Sequence, residues 1–130
     1  MNQEQEKKKI LIMEDDPFIA RMYIKKLIKE GYTARQADNG IEGIDIMQTF
    51  LPDLVMLDII MPQMDGFEVI RKLKDTKKFN KIPIVLLTNL GEKENIEKGL
   101  ALGADDYIIK AHFTPEEAIA RIKKILNKNE

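Results

Sequence analysis

Five side chains in this sequence could do chemistry together if the fold brought them to one place: Glu14, Asp15, Asp58, Thr88 and Lys110. Three are carboxylates, one is a hydroxyl and one is an amine. Carboxylates packed within a few ångström repel, by about 4 kcal/mol per close pair at an effective dielectric of 20. A divalent cation would relieve that repulsion. A small set of oxygen-only ligands suits Mg²⁺, which keeps several waters and accepts phosphate oxygens. A carboxylate can also act as a nucleophile and become an aspartyl phosphate. Phosphoryl transfer needs mainly positioning and neutralised charge. Lys110 can place a point charge on a phosphoryl oxygen, and Thr88 can donate a hydrogen bond to another.

Each of these residues stands at the end of a strand-like run. Ile10–Met13 leads into Glu14 and Asp15, and the unbroken apolar Leu54–Leu57 leads into Asp58. Lys81–Thr88 ends in Thr88, with Pro83 near its start, where a lost ladder bond is tolerable. Tyr107–Ile109 ends at Lys110. Continuous apolar runs bounded by turn signals read as strands buried on both faces, hence a parallel sheet. Ligands of such a sheet sit beyond the carboxyl ends of its strands, and neighbouring ends lie about 4.8 Å apart.

Helical segments separate the strands. Asp16 suits the cap and Pro17 the first position of a helix running to about Glu30, where Gly31 stops it. Its apolar positions are Phe18, Ile19, Met22, Tyr23, Leu27 and Ile28. Tyr32–Ala37 is a weaker strand, polar enough for a sheet edge. After the turn Asp38-Asn39-Gly40, a second helix carries Ile41, Ile44, Met47 and Leu51 on one face, and Pro52 ends it. Phe67, Ile70 and Leu73 mark a third. The fourth, about Glu92 to Leu102, is poor, because Gly99 interrupts it and its first turns are charged. Thr114-Pro115-Glu116-Glu117 is a capping box opening a fifth, whose Ala118, Ile119, Ile122, Ile125 and Leu126 face inward. Strand and helix alternate throughout, so the expected fold class is α/β with right-handed crossovers and helices on both faces of the sheet.

The chain has 130 residues, 44% hydrophobic and 33% charged, with a net charge of -1. That fits one globular domain and argues against a broad nucleic-acid or acidic-membrane surface. There is no cysteine, which excludes disulfides and thiolate metal sites. No apolar run approaches the roughly 20 residues of a membrane span, and the polar start with Lys7-Lys8-Lys9 does not read as a signal peptide. A cytoplasmic location is expected. Residues 1 to about 7 read as a mobile tail, and no output domain is read after the fifth helix.

The motifs Ile12-Met13-Glu14-Asp15-Asp16, Leu54-Val55-Met56-Leu57-Asp58 with Ile59-Ile60-Met61-Pro62-Gln63-Met64-Asp65-Gly66, Ile84-Val85-Leu86-Leu87-Thr88 and Gly103-Ala104-Asp105-Asp106-Tyr107-Ile108-Ile109-Lys110 occur in this order. Together they resemble the receiver domain of two-component response regulators, over about residues 8–127. The resemblance implies a flavodoxin-like αβα sandwich with five parallel strands in the order 2-1-3-4-5. It implies Asp58 as phosphoacceptor, and Asp15, Glu14, Asp58 and the Ile60 carbonyl around Mg²⁺. Thr88 would bind the phosphoryl group, Lys110 would pair with Asp58, and Tyr107 would be the aromatic switch residue. The implied partners are a histidine kinase or phosphotransfer protein, and a downstream protein reached through the face of helix four, strand five and helix five. Direct nucleic-acid binding is not implied, and the chain would be a monomer or a phosphorylation-dependent dimer. The protein would be a signalling phosphoacceptor and not an enzyme with an external substrate.

Two positions depart from the family pattern. Ala111 follows Lys110 where proline is usual, and Asn89 follows Thr88 where a small residue is usual. These bear on the loop after Lys110 and on the dephosphorylation rate, and they support the alternative of a degenerate receiver acting as a constitutive scaffold. A small Asp58-dependent hydrolase is a further alternative. It is disfavoured because the position two after the nucleophile, where such enzymes usually carry a second Asp, is Ile60. Of the remaining polar residues, Asp16 reads as a helix cap, Asp65 as a turn residue and His112 as solvated.

Overall fold

The computed structural model describes residues 7–89, 93–110 and 114–128. Five strands, β1 (Lys9–Met13), β2 (Thr33–Ala37), β3 (Leu54–Asp58), β4 (Ile84–Thr88) and β5 (Asp106–Ile109), alternate with five helices. These are α1 (Pro17–Lys29), α2 (Gly40–Phe50), α3 (Gly66–Asp75), α4 (Lys93–Leu102) and α5 (Pro115–Lys128). All strand pairs are parallel, in the order β2-β1-β3-β4-β5. This is the expected flavodoxin-like sheet, with β2 at one edge.

Side chains alternate across the sheet because successive Cβ atoms point to opposite faces. Leu11, Met13, Val55, Leu57, Ile84 and Leu86 pack on one face with Met47 of α2 and with Phe67, Val69, Ile70 and Leu73 of α3. Ile10, Ile12, Leu54, Met56, Val85, Leu87 and Ile108 pack on the other, with Tyr23 and Leu27 of α1 and Ala118, Ile119, Ile122 and Leu126 of α5. Every residue of β3 and β4 is buried, which is why those runs read as continuous apolar stretches. β2 is largely exposed or half-buried, as an edge strand should be.

The helix starts form as their residues dictate. Asp16 Oδ1 accepts from the N–H groups of Phe18 and Ile19, with Pro17 at the first helical position. Asn39 Oδ1 accepts from Glu42 N–H. Asp65 and Glu68 form a reciprocal capping box on α3, so Asp65 is a cap as well as a turn residue. Thr114 and Glu117 do the same on α5.

Two inward faces differ from expectation. On α1 the buried residues are Ala20, Tyr23 and Leu27, while Phe18, Met22 and Ile28 are exposed. The apolar positions wrap more of α1 than the stripe that meets the sheet, and Phe18 lies outside it. On α2, Ile41 is exposed, and Leu51 is an exposed left-handed cap after the helix. The buried residues there are Gly40, Gly43 and Met47, at the same helical spacing but one position round. Hydrophobicity alone does not register small residues that allow close packing. Gly99 does not interrupt α4. It lies inside the helix and is buried, at a point where a Cβ would press on the end of the Leu86 side chain. The expected start of α4 near Glu92, most of the expected tail, Ala111 and His112 lie outside the described residues.

Candidate functional site

The carboxyl ends of β1 and β3 are neighbours in the sheet, with Met13 in register with Leu57. The residue after each pair is a carboxylate or leads to one, so Glu14, Asp15 and Asp58 converge. One ligand oxygen from each lies within 4.8 Å of the others. Glu14 is 1% exposed and Asp58 5%. Burying such groups is costly unless something compensates their charge.

Lys110 is part of that compensation. Its backbone N–H extends the β4–β5 ladder to the Thr88 carbonyl at 2.9 Å, which aims its side chain back over the strand ends. Nζ then donates to Asp58 Oδ2 at 3.0 Å and sits 2.6 Å from Glu14 Oε1. Backbone donors hold the remaining oxygens. Asp16 N–H donates to Glu14 Oε2 at 3.0 Å, and Ile60 N–H to Asp58 Oδ1 at 3.2 Å. The contact from Lys110 to Glu14 Oε1 lacks hydrogen-bond geometry, so this buried oxygen has an ionic partner but no hydrogen-bond donor.

The charges show in the titration behaviour. Burial pushes the Glu14 carboxyl up to about 7, with Asp58 adding to the rise and the Lys110 ammonium and Asp16 N–H opposing it. For Lys110, burial favours the neutral amine. The negative charges of Glu14 and Asp58, with the hydrogen bond to Asp58, outweigh it and hold the pKa above the usual lysine value. One ammonium faces three carboxylates here, so the cluster keeps excess negative charge. An oxygen-only donor set, a buried oxygen lacking a donor and that excess charge together fit a hard divalent cation.

The backbone around Asp58 is tightly confined. Gly66 opens α3 and donates its N–H to the Ile59 carbonyl at 2.8 Å. A Cβ on Gly66 would lie 2.6 Å from the Asp58 carbonyl oxygen and 2.8 Å from Ile59 Cα. Only a residue without a side chain lets the loop close this way. Met61 is buried beneath the loop, and Met64 packs half-buried against the same core.

The other two expected residues lie further along the sheet edge. Thr88 is 1% exposed, and among the described residues its hydroxyl donates only to the adjacent Asn89 carbonyl, at 3.3 Å. Tyr107 is half-buried against the α2–α3 face, with the Arg121 guanidinium 5.7 Å from its ring centre. Arg121 also donates to the Tyr107 carbonyl at 2.7 Å. Glu14, Asp15, Asp58 and Lys110 thus form one cluster, to which Ile60 is tied through its N–H.

Sequence reasoning passed over two neighbours of this cluster. Gln36, at the end of β2, donates through Nε2 to the Glu14 carbonyl at 3.2 Å. A polar residue on an edge strand reads as solvent-facing, so nothing in the chain marked it. Tyr23 of α1 is 1% exposed. Burial raises its phenol pKa, with opposing influences from Lys110 and Glu14. Its helical spacing in the sequence marks it only as a core aromatic.

A family model described as the response regulator receiver domain matches residues 10–123. This chain belongs to the response regulator receiver domain family. Among relatives, it is 38% identical over 122 residues to the DNA-binding dual master transcriptional regulator RpaA of Synechocystis, covering 94% of this chain and 50% of that protein. It is 39% identical over 120 residues to the transcriptional regulatory protein CusR of Escherichia coli, covering 92% and 52%. The chain thus spans about half the length of the curated relatives it matches. Among solved structures, the signal receiver domain of a histidine kinase from Syntrophus aciditrophicus superposes with a TM-score of 0.84 at 33% identity, covering 93% of this chain and 91% of that one. The chemotaxis protein CheY4 of Vibrio cholerae gives a TM-score of 0.85 at 28% identity, covering 92% and 98%. The receiver domain is a module of signalling proteins. No helix among its described residues is long and apolar enough to cross a membrane.

Proposed function

We infer that this receiver, over residues 8–127, accepts a phosphoryl group on Asp58 from a histidine kinase or phosphotransfer protein and changes its partner binding in response. The single observation that carries the reading is Lys110 Nζ, held 3.0 Å from Asp58 Oδ2 and 2.6 Å from Glu14 Oε1 at a rim of three carboxylates. A structural ion pair needs one carboxylate per lysine. This site gathers more acid than its lysine neutralises, which suits a cation and an incoming phosphoryl group.

Glu14 and Asp15 would hold Mg²⁺ with Asp58, the Ile60 carbonyl serving as a further ligand. When bound, Mg²⁺ would supply positive charge against the oxygens of the transferring group. An Asp58 carboxylate oxygen attacks phosphorus, and the O–P bond forms as the P–N bond to the donor imidazole breaks. The imidazole, protonated on its second nitrogen, leaves neutral. Lys110 stays beside the Asp58 carboxyl and meets the negative charge of the new phosphoryl oxygens. Thr88, whose hydroxyl makes only a weak local bond, turns to a phosphoryl oxygen. Tyr107 follows, altering the α4-β5-α5 face that a downstream protein reads, with the receiver as monomer or phosphorylation-dependent dimer. The same reading places the protein in the cytoplasm, without direct nucleic-acid contact by the receiver and without turnover of an external substrate.

The test is intact mass and ³¹P spectroscopy of the protein after acetyl phosphate with Mg²⁺. One phosphoryl adduct, lost in Asp58→Asn, is expected. No adduct, or one that persists in Asp58→Asn, overturns the reading.

A further inference from the structure

We propose that Gln36 is a positioning residue that sets the affinity of the acidic site for its divalent cation. Its carboxamide ties the end of edge strand β2 to the main chain of Glu14. The inference rests on the cation-binding reading of the site given above.

Glu14 is the point where β1 stops and the chain turns toward α1. Its carboxylate and that of Asp15 can meet at one ion only if this turn is held. Besides its ion pair with Lys110, three hydrogen bonds hold Glu14. Its N–H donates to the Ala37 carbonyl at 3.0 Å, continuing the β1–β2 ladder. Its side-chain Oε2 accepts from Asp16 N–H at 3.0 Å. Its carbonyl accepts from Gln36 Nε2 at 3.2 Å. The first two are backbone groups that most residues could supply, and the third depends on side-chain identity.

The Gln36 amide is itself oriented. Nε2 also donates to Asp38 Oδ1 at 3.1 Å, so both of its neighbours are acceptors. That fixes which end of the carboxamide faces Glu14. Asp38 is held in turn, its N–H donating to Glu42 Oε1 at 2.8 Å, while Glu42 N–H donates to the α2 cap Asn39 at 2.8 Å. A connected set of hydrogen bonds therefore runs from the start of α2, through Gln36, to the Glu14 main chain. Partners of this kind, one step removed from a metal, fix ligand direction, and their loss weakens binding.

Magnesium titration of the full chain by calorimetry tests this, on the unaltered protein, Gln36→Met and Gln36→Leu. Both variants keep side-chain bulk and remove the donor, and leucine suits a strand if methionine folds poorly. The expected result is Mg²⁺ binding weakened about tenfold in both. At saturating Mg²⁺, beryllofluoride adduct formation should stay within about twofold of the unaltered protein, because Gln36 touches no reacting atom. Gln48→Met, at an exposed α2 position, should bind like the unaltered protein. Unchanged Mg²⁺ binding with a lowered Tm would make Gln36 a purely structural hydrogen bond and overturn the proposal. So would equal weakening in Gln48→Met. If the unaltered protein itself gives no Mg²⁺ response, the cation-binding reading fails, and Gln36 falls with it for that separate reason.

Discussion

Helices α3 and α4 each span ten residues, and each follows a strand that ends in the site, yet they are held very differently. α3 buries Gly66, Phe67, Val69, Ile70 and Leu73, and a capping box closes its start. α4 buries only Gly99. Leu102 packs half-buried against the core, and Lys98 Nζ lies 4.4 Å from the centre of the Phe67 ring. The same contrast runs through the site. On the β3–α3 side, both oxygens of Asp58 have donors and Gly66 packs on its backbone. On the β4–α4 side, the Thr88 hydroxyl has one long local bond. This asymmetry suits the proposed function, in which chemistry wants a fixed nucleophile and signalling wants an element that moves at little cost.

The largest expected effect breaks the fixed side at its charge. Lys110→Ala should slow acetyl phosphate adduct formation on the order of a hundredfold, measured by intact mass against time. Thr88→Ala should slow it less than tenfold, yet abolish the change in α4 amide exchange that the proposed switch predicts on phosphorylation. If Thr88→Ala is as slow as Lys110→Ala, the two sides are not functionally distinct.

Paired glycine substitutions come next. In Gly66→Ala the new Cβ meets backbone atoms that cannot yield, so urea unfolding should show a loss of about 2 kcal/mol. In Gly99→Ala the Cβ meets the far end of the Leu86 side chain and no backbone atom. That crowding is offset by a helix-propensity gain of about 1 kcal/mol, so stability should stay within about 1 kcal/mol of the unaltered protein. Equal losses would mean that α4 is seated as firmly as α3.

Glu14→Gln sharpens the electrostatic half. The folded state holds the Glu14 proton up to about pH 7, well above the ordinary carboxyl value of 4.5. Folded protein therefore binds more protons than unfolded between those values, and metal-free stability falls as pH rises through that window. Above it the full cost remains. Glu14→Gln should stabilise the metal-free protein at pH 8 by on the order of 1 kcal/mol, with little change at pH 4. Mg²⁺ should stabilise the variant less than the parent. A variant less stable than the parent at pH 8 would contradict the excess-charge account.

The smallest effect is at Lys98. Lys98→Met should cost about 0.5–1 kcal/mol and speed amide exchange in α4 while leaving α3 unchanged. Exchange that speeds equally in both helices would tie them into one unit.

Strand identity and the carboxylates and amine at the strand ends were legible in the chain because they depend on local signals, whereas the strand order followed only from the family resemblance. Fully buried strands must be apolar throughout, helix starts need capping side chains, and Glu14, Asp58, Thr88 and Lys110 stand where an apolar run stops. The inward faces of α1 and α2 were not legible in the same way. Phe18 and Ile41 are as apolar as Tyr23 and Met47, and only docking on the sheet selects among them. Glycine carries two opposite meanings that sequence cannot separate. Gly99 reads as a break but packs against the Leu86 side chain of β4, and Gly66 reads as a turn but confines the Asp58 backbone. Gln36 was invisible for the same reason. Its partner carbonyl belongs to Glu14, distant in the chain, and a hydrogen bond across that separation exists only once β1 and β2 are paired. Local composition settles which elements form and where charged groups meet a strand end. Distances of 2.6 and 3.0 Å from one amine to two buried carboxylates arise only when five separate strands share one sheet.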